Sequence, residues 1–275
     1  MNNRGGSISL AAGFTIVETL IVLAVTSTLL ISAMVTMSGR QAKTEFQVAT
    51  QSAVREYQSI ISQIESGRYK SPNNFTCTSA APNNVTFTSD LGGDSQGANQ
   101  GCVYLGLALV FGEDASTYKK YLVAGSRLNG PVSADTITDA NPTTHEMTLS
   151  NHVVTRGLEY AGARYVSSTD GSYTNLTGAN VPVAVRLLTD LNGTAGSTGD
   201  LAGSSKVSVH ATETLNAATI VNSINAVPPE QRMRGVELCF ASAGLDRSVI
   251  ISIGNGLGNK VDSTVKDGKK CGWLL

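Results

Sequence analysis

The chain begins with an apolar run and then changes period. From Phe14 to Met37 there is no Lys, Arg, Asp, Asn, Gln, Gly or Pro, and a single charge, Glu18, sits near the start. About 20 apolar residues are enough to cross a bilayer as a helix. After Ser38–Gly39–Arg40 the run becomes one-sided. Phe46, Thr50, Ala53, Val54, Tyr57, Ile60, Ile61 and Ile64 recur at steps of three and four, with Lys43, Glu45, Gln51, Arg55, Glu56, Gln63 and Glu65 between them. That spacing predicts an amphipathic helix with one apolar face. No Pro intervenes, so Phe14 to about Ser66 reads as one helix of roughly 80 Å at 1.5 Å per residue. Gly67 and Pro72 end it. The repeat is not sustained over several heptads, so the second half does not read as a coiled coil.

Beyond Cys77 the helical period fades and short apolar runs alternate with turn residues. Strands are predicted at Asn84–Thr88, Cys102–Phe111 and Tyr118–Val123, the last two joined by a turn at Gly112–Ser116. His152–Tyr160, Val181–Leu188 and Lys206–His210 are further strand candidates. Gly193–Ser205 is a Gly/Ser/Thr loop. Leu215–Val227 carries apolar residues at helical spacing and is stopped by Pro228–Pro229. Val236–Ser242 and Ser248–Ile253 predict a hairpin turning at Gly244–Asp246, with Lys260–Val265 as a third strand. The resulting organisation is a leader over 1–13, an apolar helix over 14–38, its amphipathic continuation over 39–66, and a β-rich head over 67–275. The fold class is α+β.

Charge narrows the function classes. The chain carries 20 Lys and Arg against 21 Asp and Glu. The two signs also nearly balance within 67–275, which argues against a bulk phosphate binder. The basic tail Lys266, Lys269 and Lys270 is the only feature favouring DNA or an acidic surface. The four cysteines, Cys77, Cys102, Cys239 and Cys271, show no C-x-x-C spacing and all follow the apolar run. An even number in an exported region implies two disulfides. Three pairings are possible; the local one, Cys77–Cys102 with Cys239–Cys271, closes short intervals. In it, Cys239 on a strand and Cys271 in the tail would staple the edge of the C-terminal sheet.

Enzyme chemistry finds little support. His145, His152 and His210 lack metal-ligand spacing. No G-x-S-x-G elbow or Ser/His/Asp arrangement stands out. Gly254–Gly258 follows a strand, but its glycines have the wrong offsets for a dinucleotide loop. Asp190–Asn192 and Asp200 offer oxygen ligands without a calcium-loop signature. The sequence calls for no cofactor and no metal.

Glu18 is the anomaly that carries information. A charge inside hydrocarbon costs roughly 2.5–3.5 kcal/mol even on lenient scales and marks a function with a partner. The stretch G-F-T-I-V-E-T-L-I-V-L-A-V, from Gly13 to Val25, resembles the class III signal of type IV pilins and type II secretion pseudopilins. The resemblance covers about the first 50 residues. It implies cleavage by a prepilin peptidase between Gly13 and Phe14, with N-methylation of Phe14. It implies that the amine of one subunit meets Glu18 of the next, making Glu18 an assembly residue. It also implies a cytoplasmic N-terminus, which Arg4, Arg40 and Lys43 do not decide by themselves. A pilin-like fold is implied in turn: a long helix whose second half packs on an antiparallel sheet, often closed by a C-terminal disulfide.

The expected partners are other pilin-like subunits, the peptidase, the assembly machine and, before assembly, membrane lipid. The chain departs from many major pilins at Ser27 and Val35, where those carry a helix-breaking Gly and Pro. Thr26, Ser27, Thr28, Ser32 and Thr36 bring hydroxyls able to bond back to helix carbonyls. These departures point to a continuous helix and a minor subunit of a pilus-like filament. The alternatives are a type II secretion pseudopilin, which shares the N-terminal features, and a surface adhesin or DNA-uptake minor pilin.

Overall fold

The computed structural model describes residues 15–65, 75–80, 84–89, 102–126, 128–129, 132–133, 137, 139–146, 152–155, 157–167, 170–176, 182–189, 207–213, 220, 233–254 and 260–273. Helix α1 runs unbroken over Ile16–Glu65, as the uninterrupted helical pattern requires. The chain divides into two compact units, residues 1–44 and 45–275.

Among the described residues of the first unit, the apolar helix is the one element. Ile16–Met34 has a mean hydropathy of 2.1, and large side chains such as Leu20, Leu23, Leu29 and Ile31 are exposed. Threonine hydroxyls turn back onto the helix. Thr26 Oγ1 donates to the carbonyls of Val22 (2.8 Å) and Leu23 (3.1 Å), and Thr28 Oγ1 to that of Val25 (2.8 Å). These bonds satisfy the threonine hydroxyls within the helix itself.

The second unit is built on two antiparallel sheets where the sequence suggested one. The larger comprises β3 (Cys102–Asp114), β4 (Thr117–Ser126), β7 (Thr143–Glu146), β11 (Val183–Thr189) and β12 (Val207–Glu213), in the order β12-β11-β3-β4-β7, with β8 (His152–Val153) also paired to β4. The other comprises β9 (Leu158–Ser167), β10 (Tyr173–Leu176), β13 (Met233–Ser242), β14 (Arg247–Ile253) and β15 (Val261–Asp267), in the order β10-β9-β13-β14-β15. Two small hairpins form ladders of their own, β1 (Phe75–Ala80) with β2 (Asn84–Ser89), where Val85 packs with Cys102 of β3, and β5 (Leu128–Asn129) with β6 (Val132–Ser133). The chain visits the first sheet, the second, the first again and finally the second, so neither sheet is complete without the other's sequence.

Burial explains the residue patterns. Leu107, Leu109, Phe111, Val183, Val185 and Leu187 of the first sheet share the main core with Val236, Leu238, Phe240, Val249, Ile251 and Ile253 of the second. Phe46, Ala49, Ala53, Tyr57, Ile60, Ile61 and Ile64 of α1 complete that core. The opposite face of the first sheet is also covered, around Leu105, Ala108, Val110, Ala184 and Leu188. Strands buried on both faces read as continuous apolar runs, as CVYLGLALVF does, instead of alternating. Phe111 joins the sheets: its ring lies 5.2 Å from both Tyr118 and Tyr160 and 6.1 Å from Phe240.

Three local expectations change. The β3–β4 turn is tighter than Gly112–Ser116, because the ladder shifts register after Phe111 and resumes at Asp114–Thr117. Asp114 Oδ1 accepts the Ser116 backbone N–H at 3.1 Å and fixes this turn. His152–Tyr160 is not one strand. Leu158 N–H donates to the Thr155 carbonyl at 3.0 Å, so a turn divides β8 from β9 and sends them to different sheets. Finally, β13 is not near an edge: β9 flanks it on the side away from β14. The predicted helix at 215–227 and the loop at 193–205 lie outside the described residues, apart from Ile220.

Candidate functional site

The first candidate site is the start of α1. Thr15 precedes the helix and Glu18 lies in its first turn. The Thr15 backbone N–H and Oγ1 both donate to Glu18 Oε2, at 3.2 and 3.1 Å. The Glu18 backbone N–H donates to Thr15 Oγ1 at 3.3 Å. This is a capping box, in which an N-cap hydroxyl and an acidic side chain three residues later satisfy each other's orphan donors. The signal was in the sequence as T-x-x-E, but attention to the charge alone passes over it. The arrangement holds the carboxylate at the helix N-terminus, where the helix dipole favours a negative charge. Gly13 and Phe14 lie outside the described residues. Ser27 and Val35 are both helical.

The second site ties α1 to the first sheet within the head. Glu56 Oε1 accepts from the Tyr118 hydroxyl and from Lys120 Nζ, the latter at 3.0 Å. Lys120 Nζ also lies 5.2 Å above the Tyr118 ring. Burial raises the Tyr118 pKa well above the ordinary phenol value, and the Glu56 carboxylate raises it further, so the phenol stays protonated and its O–H donates a hydrogen bond to Glu56. Tyr57 and Tyr160 are likewise raised, chiefly by burial. Sequence reading placed Glu56 on the polar face of the helix without a partner, because Tyr118 and Lys120 are more than 60 residues away.

The third site is on the outer face of the second sheet. Arg164 Nε and Nη2 each lie 2.7 Å from Glu237 Oε2, across the β9–β13 pair. The guanidinium is stacked between two rings, 4.0 Å from the centroid of Tyr173 and 4.8 Å from that of Trp273. Cys239 is bonded to Cys271 beside this cluster, so the staple crosses the middle of a five-stranded sheet and not an edge. Cys102 is also disulfide-bonded, while the side chain of Cys77 on β1 lies outside the described residues.

The remaining candidates are dispersed. His145 is on β7, His152 on β8 and His210 on β12. Among the described residues no three His, Cys, Asp or Glu side chains gather as metal ligands. Asp190–Asn192 and Asp200 lie outside the described residues. Lys266, Lys269 and Lys270 are exposed, next to Asp267. The Gly254 N–H donates to the Lys260 carbonyl at 3.0 Å, bridging the glycine-rich segment between β14 and β15. Arg186, unremarked in the sequence, is buried on β11 and donates to the Ile220 carbonyl at 3.5 Å. Burial lowers its pKa to about 10, so it remains a cation at neutral pH.

Comparison with known proteins gives no match to a family, to a curated protein or to a solved structure.

Proposed function

We propose that this chain is a structural subunit, of the minor kind, of a type IV pilus-like filament. One observation carries the reading: an apolar helical segment, Ile16–Met34, whose large side chains are exposed and whose single charge is locked at its first turn. Exposed apolar side chains at this density need lipid or other helices around them. Lipid serves before assembly and neighbouring subunits after it. The head residues of α1 bury their apolar face among the strands, which supports a pilin-like packing of stalk and head. The capping box holds the Glu18 carboxylate beside Thr15 at the first turn of the helix, the end from which a cleaved leader would be removed. The chain would be held in the membrane with its head outside and then drawn into the filament. A type II secretion pseudopilin is supported by the same N-terminal features and differs in the machine it serves.

The test has two parts. Mass analysis of the mature protein should find a methylated Phe14 at the N-terminus; a chain still carrying residues 1–13 would refute the processing step. Glu18→Gln and Glu18→Ala then separate two roles of the carboxylate. Glutamine keeps the capping box but removes the charge. If charge pairing with a neighbouring amine drives assembly, both variants fail to enter filaments while processing continues. Normal incorporation of Glu18→Gln would reduce Glu18 to a helix cap.

A further inference from the structure

The first six residues after β15, 268–273, turn back over the outer face of the second sheet. Cys271 N–H donates to Ser248 Oγ on β14 at 3.1 Å. Cys271 is bonded to Cys239 on β13. Trp273 then reaches Arg164 on β9, and its carbonyl accepts from Asn175 Nδ2 on β10 at 3.4 Å. The tail therefore crosses the sheet at an angle to its strands, from one edge to the other. Cys239, Ile250 and Cys271, with Ala161 and Trp273, form a small cluster separate from the main core.

Three features make the non-covalent seat of this tail weak. Trp273 Nε1 is buried and has no hydrogen-bond partner among the described residues, so docking costs the indole its hydration. Cys271 adopts φ +49°, a left-handed conformation that an L side chain takes only when its surroundings compel it. Arg164 already has Glu237 and the Tyr173 ring, and it stays satisfied if Trp273 leaves. Apart from single hydrogen bonds at Gly268, Cys271 and Trp273, the covalent bond is what holds the tail down.

We propose that residues 268–273 are a redox-held strap: reduction of Cys239–Cys271 releases the tail and uncovers the outer face of the second sheet, while both sheets stay folded. The step is a two-electron reduction by a dithiol. Its two thiols become a disulfide, and two electrons and two protons pass to Cys239 and Cys271. The main core contains neither cysteine nor any residue of the tail, so it has no stake in the bond.

Trp273 is the chain's sole tryptophan and reports on the strap directly. The full-length protein in detergent micelles is titrated with dithiothreitol. The expected result is a red shift of the indole emission and a rise in acrylamide quenching, with the β-sheet circular dichroism unchanged. A Cys239→Ser/Cys271→Ser double variant should show the released spectrum without reductant and not respond to it, which separates this bond from the one at Cys102. If the variant does not accumulate, the wild-type titration decides alone. Unchanged emission and quenching, when alkylation and mass analysis find Cys239 and Cys271 both free, would overturn the proposal. So would an emission change that appears only together with loss of the sheet signal.

Discussion

The contact most open to quantitative test is the one in which Tyr118 and Lys120 grip Glu56 of the helix. Phenylalanine at position 118 removes a hydrogen bond to a charged acceptor, worth about 1.5–3 kcal/mol in general. Glu56 is about one-third exposed, with a side-chain accessibility of 33%, so the lower end, about 1.5 kcal/mol, applies. Alanine at position 56 costs more, about 2–3 kcal/mol, because it leaves the buried Tyr118 hydroxyl and the mostly buried Lys120 ammonium without their acceptor. With both changes made, the hydroxyl is gone and only the ammonium suffers. The double-mutant cycle should then give a coupling of about 1 kcal/mol. Urea titrations of the full chain in micelles would read each single change as a midpoint shift of about 0.5–1 M for a slope of about 3 kcal/mol/M, the upper end of the usual range. Additive effects within about 0.3 kcal/mol would mean that the helix is held by its apolar face alone.

Two other outcomes follow from the packing. Gly106 on β3 has φ +148°, and an added Cβ would lie 2.0 Å from the Leu187 carbonyl oxygen on β11; Gly106→Ala should destabilise by about 3 kcal/mol, combining strain and overpacking. Gly244→Ala, with open space around it, should leave the denaturation midpoint unchanged and serves as the control. The buried tyrosines predict an alkaline limit. Tyr57, Tyr118 and Tyr160 have folded pKa values raised above the unfolded value of about 10, so the stability they contribute is fully present below that pH and is lost as pH rises toward the folded values. Melting curves between pH 8 and 11 should show this decline. Tyr160→Phe should weaken it and stabilise by about 1 kcal/mol at neutral pH, because the Tyr160 hydroxyl is buried without a hydrogen-bond partner among the described residues. A destabilised Tyr160→Phe would refute that account.

Local chemistry determined much of this protein by itself. A helix or strand announces itself through the period of its apolar residues, which depends only on near neighbours. So α1 was legible over Ile16–Glu65, as were β2, β3, β4, β11, β12, β13, β14 and β15 to within a few residues. The capping box at Thr15 and Glu18 was equally local. The tertiary structure decided which strands meet. β9 and β13 pair although about 70 residues separate them, and this single pairing converts the expected edge at Cys239 into the centre of a sheet. It also brings Arg164 to Glu237 and gives Trp273 something to stack on. Glu56 has the same history, as a polar position on a helix until a distant hairpin supplies a phenol and an ammonium. Loop closure lets any of many strand orders satisfy the same local patterns. The choice among them is made by how both faces of each strand are buried, a quantity that exists only once the sheets are assembled.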